Sequence, residues 1–404
     1  MADILILADD LSGAADCGVA CAVQGLDTLV VLDHAATAFA ADVLAVDAGT
    51  RGMTSAQAAA ETERLLRCWA REPGPILFKK FDSTLRGHVG VEVAAALRAW
   101  RSGPHRNSAI VVAAPAFPAT GRTTIGGRQW LNGAPLEADL PQMLEAAGLR
   151  TARIGLDPVR AGRLPAVMQA HAAACAALVC DAQTDADLRS IAAAAVSLGP
   201  ATVWAGSAGL ARHLPEAAGL LRPRRAFTLP ARSGPILFVV GSPAPLSHLQ
   251  AAVLPSTNEV VVLTLKPDVL LAGPDTPAWR DCDSLLSGAL ANGRDVLALV
   301  AAQPAPNGDS EGALLCAFLA RLVAPYRAGV GALVLTGGET ARAVLLAFGV
   351  RSLRLLAEVE PGVPLALAAP EGRAPLPVIT KAGAFGNRDT LVRCREALLT
   401  RAVR

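Results

Sequence analysis

The 404-residue chain carries a formal net charge of +2, with 52% hydrophobic, 18% charged and 4% aromatic residues, a globular composition rather than a disordered one. One tyrosine, Tyr326, and no Lys/Arg block exclude base-stacking platforms and basic nucleic-acid or membrane surfaces. No apolar run reaches the ~18–20 residues that span a bilayer, Asp3, Asp9 and Asp10 stand where a leader peptide would be basic, and the eight cysteines form no C-x-x-C pair, which together predict a cytoplasmic, reduced protein with no structural zinc site.

Length alone predicts two domains. In the first half, apolar runs predict strands at Ile4–Ala8, Thr28–Leu32, Val43–Val46, Pro75–Lys80, Ala109–Ala114, Ala177–Asp181 and Thr202–Ala205. Helical patterns at Ser55–Arg71, Val89–Arg101 and Ala186–Leu198 fall between them. Gly121–Leu136, with its Gly-Gly and Asn-Gly pairs, predicts a β-hairpin excursion. The Pro- and Arg-rich stretch Leu221–Gly234 lacks periodicity and reads as a linker. This divides the chain into 1–222, a linker over 223–234, and 235–404.

The second half restarts the alternation. Strands are predicted at Ile236–Val240, Val260–Leu265, Val296–Val300, Ala332–Leu335, Leu353–Leu356, Val363–Ala369 and Val378–Lys381. Helices are predicted at Leu246–Val253, Gly312–Tyr326, Thr340–Phe348 and Arg388–Ala402, with surface loops at Asp275–Trp279 and Gln303–Asp309. The fold class is therefore α/β, with two domains that each carry a mainly parallel sheet flanked by helices.

Ligands of open α/β sheets bind beyond the carboxyl ends of the strands, so the residues after each strand are the candidates for a site. ADDLSGAAD places Asp9 and Asp10 after the first strand, with Ser12 as the predicted helix N-cap. Strand alternation lets at most one of the two aspartates project into a given cleft, unless the strand has already ended; one would then do chemistry while the other holds structure. KKFDSTLRGH puts Lys79, Lys80, Asp82, Ser83, Thr84, Arg86 and His88 at one strand end. That suits a carboxylate or phosphate clamp plus a proton acceptor, a surface ion-pair cluster being the alternative. VVGSPAP and LTGGETARAV each lead from strand through a small-residue turn into a helix, a geometry that presents backbone N–H groups to an anion. Neither G-x-x-x-x-G-K-[ST] nor G-x-G-x-x-G occurs.

These stretches, together with PAFPATGRTTIGGRQWLNGAPL (115–136), GSAGLA (206–211), PGVP (361–364) and KAGAFG (381–386), resemble the four-carbon acid sugar kinase family over nearly the whole chain. The resemblance implies an ATP-dependent kinase that phosphorylates the terminal hydroxyl of a four-carbon sugar acid such as D-threonate, D-erythronate or a 3-oxotetronate. It implies an acid site in the N-terminal domain, a nucleotide site in the C-terminal domain, and an active site in the cleft between them. Asp10, Asp82 and Lys80 would be catalytic, and Asp9, Ser12, Arg51, Ser83, Arg86 and His88 would bind the acid. Ser242, Gly337, Gly338, Glu339, Thr340, Gly383 and Gly386 would bind ATP, with Mg²⁺ expected beside it and no protein ligands assigned. Either Asp10 or Asp82 would accept the hydroxyl proton, Asp10 being preferred. Arg86, with help from Arg51, would take the substrate carboxylate; Lys80 would do the same or stabilise the transferring oxygens.

Three departures from the family pattern are His88 in place of Asn, Lys381-Ala382-Gly383 in place of K-S-G, and Pro243-Ala244-Pro245 after Ser242. The partners implied are the acid and ATP, without nucleic acid or membrane and with a homodimer open. A non-catalytic sensor of nucleotide or sugar acid is the rival from another class.

Overall fold

In the computed structural model, the described residues are 2–34, 39–69, 75–223, 227–257, 259–302, 309–370, 374–400 and 402–403. The end of the predicted helix Ser55–Arg71, part of Leu221–Gly234 and most of Gln303–Asp309 lie outside them. The chain forms two compact units, Met1–Val30 with His34–Arg224, and Val31–Asp33 with Arg225–Arg404.

The first unit is built on β1 (Ile4–Ala8), β2 (Thr28–Val31), β3 (Val43–Asp47), β4 (Ile76–Lys80), β5 (Val111–Ala114), β6 (Arg122–Ile125), β7 (Arg128–Leu131), β8 (Ala134–Asp139), β9 (Thr151–Ile154), β10 (Ala177–Cys180) and β11 (Val203–Gly206). Eight of these run in the order β2-β3-β1-β4-β11-β5-β10-β9. β1, β3, β4, β5, β9, β10 and β11 pair in parallel. The central strands are apolar along their whole length because helices cover both faces. Ile4, Leu5, Ile6 and Leu7 are all buried, as are Val111 and Val112. The remaining strands β6, β7 and β8 form a separate antiparallel meander, so the predicted hairpin has a third strand.

The first unit's principal helices are α1 (Leu11–Ala22), α2 (Ser55–Trp69) and α3 (Val89–Arg101). α1 is capped by Asp10, whose carboxylate accepts from Gly13 N at 2.8 Å. This corrects the expectation that Ser12 is the cap: the helix begins one residue before Ser12. β9 (sequence TARI) was not predicted; it is a four-residue edge strand with alternate residues half-buried or exposed, too short for a clear period.

The second unit carries β12 (Phe227–Thr228), β13 (Ile236–Val240), β14 (Val260–Leu265), β15 (Asp295–Val300), β16 (Ala332–Thr336), β17 (Ser352–Glu360), β18 (Val363–Ala368), β19 (Leu376–Lys381) and β20 (Ala402–Val403). The main sheet runs β14-β15-β13-β16-β19-β18-β17; β12 pairs with β20. β14 to β19 are parallel across that order, while β18 is antiparallel to both β19 and β17. Ile236, Phe238, Val240, Val334, Ile379, Leu391 and Cys394 belong to one buried cluster. The expected loop Asp275–Trp279 is instead the start of the helix Pro277–Ala291. Thr276 caps it by accepting from Trp279 N at 3.3 Å, and Pro277 occupies the first turn.

In each unit the strand order changes sides after the first three strands of the main sheet. From β1 the chain crosses to β2 and β3 on one side, then to β4 on the other; from β13 it crosses to β14 and β15, then to β16. Neighbouring strands β1 and β4, and likewise β13 and β16, therefore send their loops in opposite directions. Such a topological switch point opens a crevice beyond the strand ends. In-register pairing aligns those ends: Ala8 lies opposite both Asp47 and Lys80, and Thr336 lies opposite both Val240 and Lys381.

Candidate active site

At the β1/β4 switch point the Asp9–Asp10, Thr50–Met53 and Asp82–Arg86 segments leave the sheet side by side. Arg51 gathers them. Its Nε and one terminal nitrogen donate to Asp9 Oδ2 at 3.1 and 2.7 Å, and the other terminal nitrogen lies 2.6 Å from Asp10 Oδ2. Asp82 Oδ1 is 4.0 Å away. The Arg51 loop is itself fixed at both ends, by Thr50 N donating to Asp9 O at 3.0 Å and by His88 Nε2 bonded to Met53 O at 2.6 Å. His88, the departure from the family pattern, thus ties the start of α3 to the loop that bears Arg51.

Both aspartates face the same guanidinium, against the expectation that alternation separates them. β1 ends at Ala8 and Asp10 has turned into the α1 cap, so pleating no longer governs their directions. Alternation does separate the lysines inside β4. Lys79 Nζ lies 2.6 Å from Glu92 of α3, both fully buried. Lys80 points the other way, to Asp9 and Asp10. A Cβ on Gly13 would lie 2.5 Å from Lys80 Nζ and 2.8 Å from Asp10 Oδ1, so the glycine at this helix turn is what lets the ammonium and the carboxylate approach.

The three carboxylates are not equivalent. Burial would raise Asp9, but Arg51, Lys80 and Lys79 outweigh it and hold its carboxyl below the usual range. Burial also raises Asp10; Arg51 opposes, but Asp9 adds its repulsion and the net direction is upward. Asp82 accepts from Arg86 Nε at 2.7 Å and a second Arg86 nitrogen at 3.0 Å, and from Thr84 Oγ1. Against burial, these donors and Arg51 hold Asp82 far below the carboxylate range. Burial depresses Lys80, yet Asp9, Cys17 and Asp10 more than restore it, so it stays charged. Arg86 is 68% exposed in its side chain, with its fork turned onto Asp82. Ser83 is buried in the same loop and its carbonyl accepts from Gln129 Nε2 at 2.6 Å. Asp9 Oδ1 and Ser12 Oγ are buried without a hydrogen-bond partner in the protein.

Sequence reasoning quoted GRTT but gave Arg122 no role. Arg122 is buried on β6, and Asp82, Arg86 and Asp16 act on it electrostatically; burial lowers its pKa. Its only sequence signal was a place in a recognised stretch.

At the β13/β16 switch point three turns converge. Gly337, at φ 99°, caps the helix Gly338–Ala347 without a side-chain bond, leaving first-turn N–H groups for an anion. Gly337 N donates to Lys381 O at 2.9 Å, joining this turn to the end of β19. A Cβ on Gly383 would collide with Ser242 Oγ, and one on Gly337 would lie 3.4 Å from Ser242 Cβ. Ser242, Gly337 and Gly383 thus share one small cradle. Thr340 is buried on the first turn of that helix, Glu339 precedes it, and Thr336 Oγ1 is buried without a hydrogen-bond partner. The KAG turn is held by Ser247 Oγ and Lys381 Nζ, which donate to Gly383 O at 2.9 and 3.4 Å. Gly386 sits against Thr390 and Glu360 instead.

This cradle suits phosphate oxygens. Among the described residues no group of three or more His, Cys, Asp or Glu side chains is placed to hold a metal ion.

The match of family models decides the assignment. A sugar-binding N-terminal domain matches residues 4–214 and a nucleotide-binding C-terminal domain matches residues 237–391. The chain belongs to the four-carbon acid sugar kinase family. It is 42% identical to a D-threonate kinase of Cupriavidus necator, covering 98% of this chain and 97% of that one. It is 34% identical to a D-threonate kinase of Bordetella bronchiseptica, again over 98% and 97%. In fold it is similar to the crystal structure of Haemophilus influenzae protein HI1011, with a TM-score of 0.70 at 19% identity over 98% of this chain and 100% of that one. As a member of this kinase family it is a phosphotransferase; among its described residues no helix is long and apolar enough to cross a membrane.

Proposed function

We propose that this protein transfers the terminal phosphoryl group of ATP to the terminal hydroxyl of a four-carbon sugar acid, D-threonate being the first choice. The carrying observation is the convergence of Asp9, Asp10 and Asp82 with Arg51, Lys80 and Arg86 at the β1/β4 switch point. A polyhydroxy acid needs hydroxyl acceptors and cations within a few ångströms of each other, and this cluster supplies both. Buried polar atoms are normally paired, so Asp9 Oδ1 and Ser12 Oγ are suited to substrate hydroxyls. Two D-threonate kinases similar over nearly the full length support the choice of acid.

Phosphoryl transfer is catalysed mainly by positioning and charge stabilisation. Asp10 is the proton acceptor in this reading, because its upward-shifted carboxyl is the most basic of the three. Asp82, saturated by Arg86 and Thr84, holds Arg86 in place. Arg86 then offers its remaining N–H groups to the substrate carboxylate, and Lys80 stabilises the oxygens that gain charge. Arg51 is already spent on Asp9 and Asp10 and positions them. The nucleotide phosphates lie on Ser242, the Gly337–Thr340 turn and Gly383. Mg²⁺ bound with them would neutralise phosphate charge.

The test is a coupled ADP-release assay over a panel of four-carbon acids. Acid-dependent ADP release, greatest with D-threonate, is the expected result. Acid or nucleotide binding without ADP release would make the protein a sensor and overturn the proposal.

A further inference from the structure

The β6–β8 meander forms a sheet of its own, and Gln129 reaches from it to the loop after β4. Gln129 on β7 is fully buried. Its Nε2 donates to Ser83 O at 2.6 Å and to Pro115 O at 3.2 Å, while its Oε1 accepts from Thr124 Oγ1 at 2.5 Å. Two carbonyl acceptors fix the orientation of this amide, since only its nitrogen can satisfy them. Ser83 follows β4 and Pro115 follows β5, and β11 lies between those strands. One side chain therefore links two loops that the sheet does not place next to each other.

The β6–β7 end of the meander, which carries Gln129, is also tied to the end of β10. Asp181, at the end of β10, accepts from Gly126 N and Gly127 N at 2.6 and 2.8 Å. Thr124 and Ala182 exchange main-chain hydrogen bonds of 2.8 and 3.2 Å. The meander is thus a short rigid strut, with one foot on β10 and Gln129 gripping the carbonyl next to Asp82.

We infer that Gln129 is a positioning residue for the acid subsite: it sets the Asp82–Arg86 loop and through it the affinity for the substrate's carboxylate. The role rests on the reading of that loop as the acid clamp. Gln129 touches no reacting atom, so its loss should act on acid affinity more than on turnover. Asp82 and Arg86 form a loop stapled internally by Leu85 N to Asp82 O at 2.8 Å and by Arg86 to Asp82. Without Gln129 that loop would keep its own shape but lose its fixed place.

The test uses the whole chain and two readouts. Gln129→Met keeps the length and removes both donors. Hydrogen–deuterium exchange in the free protein should speed up by about fivefold or more over residues 81–88, with peptides of the second unit unchanged, as expected for the loss of a buried hydrogen bond. In the ADP assay the KM for D-threonate should rise by about 3–10-fold, with kcat and the KM for ATP within about twofold. Thr124→Val, which removes only the donor to Oε1, serves where Gln129→Met fails to fold, and should move exchange and KM in the same direction by less. Unchanged exchange over 81–88 in a folded variant overturns the inference, as does a fall in kcat with no change in acid KM. Faster exchange in a protein whose wild type shows no acid-dependent turnover would leave the Gln129 link standing and overturn the functional reading instead.

Discussion

Arg51→Met is the sharpest single perturbation of the acid site. Around this guanidinium the formal charges are Asp9, Asp10 and Asp82 against Arg51, Lys80 and Arg86, three of each sign. Methionine fills much of the same space but leaves the three carboxylates one cation short. Breaking a buried pair costs about 3–5 kcal/mol, because a charge is left without compensation. Arg51 retains 25% side-chain exposure, and solvent screening brings the expected loss to about 2–4 kcal/mol. For a unit of this size that corresponds to a fall in Tm of about 4–16 °C near neutral pH.

The pH dependence separates charge from packing. In the wild type, Asp9 and Asp82 have depressed folded-state pKa values. Their contribution is present above the ordinary carboxylate pKa and is lost as pH falls through the folded values. In Arg51→Met those carboxyls shift upward, so ionising them costs the folded state more as pH rises. The Tm gap between the two proteins should therefore be widest near pH 7–8 and shrink as pH falls through the raised carboxyl pKa values of Arg51→Met. Scanning calorimetry at four or five pH values measures it. A gap that stays constant with pH would mean lost packing, and no gap would mean the ion cluster adds nothing; either refutes the argument.

Two further predictions address roles within each unit. Asp10→Asn should lower kcat by about 10²–10⁴, whereas Asp82→Asn should act mainly through a higher KM for the acid; steady-state kinetics of both variants checks this, and the reverse order would make Asp82 the base. Lys381 is pulled down to about 8 by burial, despite Cys394 and Glu360 acting in the other direction. The unfolded chain therefore holds the proton over a window where the folded chain does not, and wild-type stability should rise relative to Lys381→Met by up to about 3 kcal/mol between pH 8 and 10.5. Paired thermal melts from pH 7 to 10.5 measure it, and a constant difference would show that Lys381 does not titrate in that window.

What the residues revealed in advance depended on how regular the local structure is. All seven strands predicted in the second half are present, with ends shifted by at most a few residues. Their long apolar runs leave no other choice when both sheet faces are covered. The four strand ends singled out as unusual prove to flank the two switch points, where neighbouring loops diverge and leave room for polar groups. The N-cap was misjudged because Asp10 and Ser12 are both good caps two residues apart, and the choice between them is made by Arg51 and Lys80, which come from elsewhere in the chain. The antiparallel direction of β18 was invisible to a pattern that records burial but not pairing. Gln129 had only the signal that Arg122 had, a place in a recognised stretch: a glutamine between arginine and tryptophan reads as an ordinary strand residue until the fold brings two carbonyls to it.

The adjacent lysines and the adjacent aspartates make the same point about the site itself. Lys79 and Lys80 obey the pleat, so one goes to Glu92 in the core and the other to the carboxylates. Asp9 and Asp10 escape it, because the strand stops at Ala8 and helix capping turns Asp10 back towards its neighbour. The outcome is two carboxyls on one guanidinium, where each raises the cost of ionising the other. Asp9 is held charged by Arg51, Lys80 and Lys79; Asp10 takes the penalty of burial and of Asp9's charge and becomes the more basic. A proton acceptor for a hydroxyl is most effective when its pKa is raised towards working pH, so the crowding that ends β1 in two acids is also what makes one of them suited to catalysis.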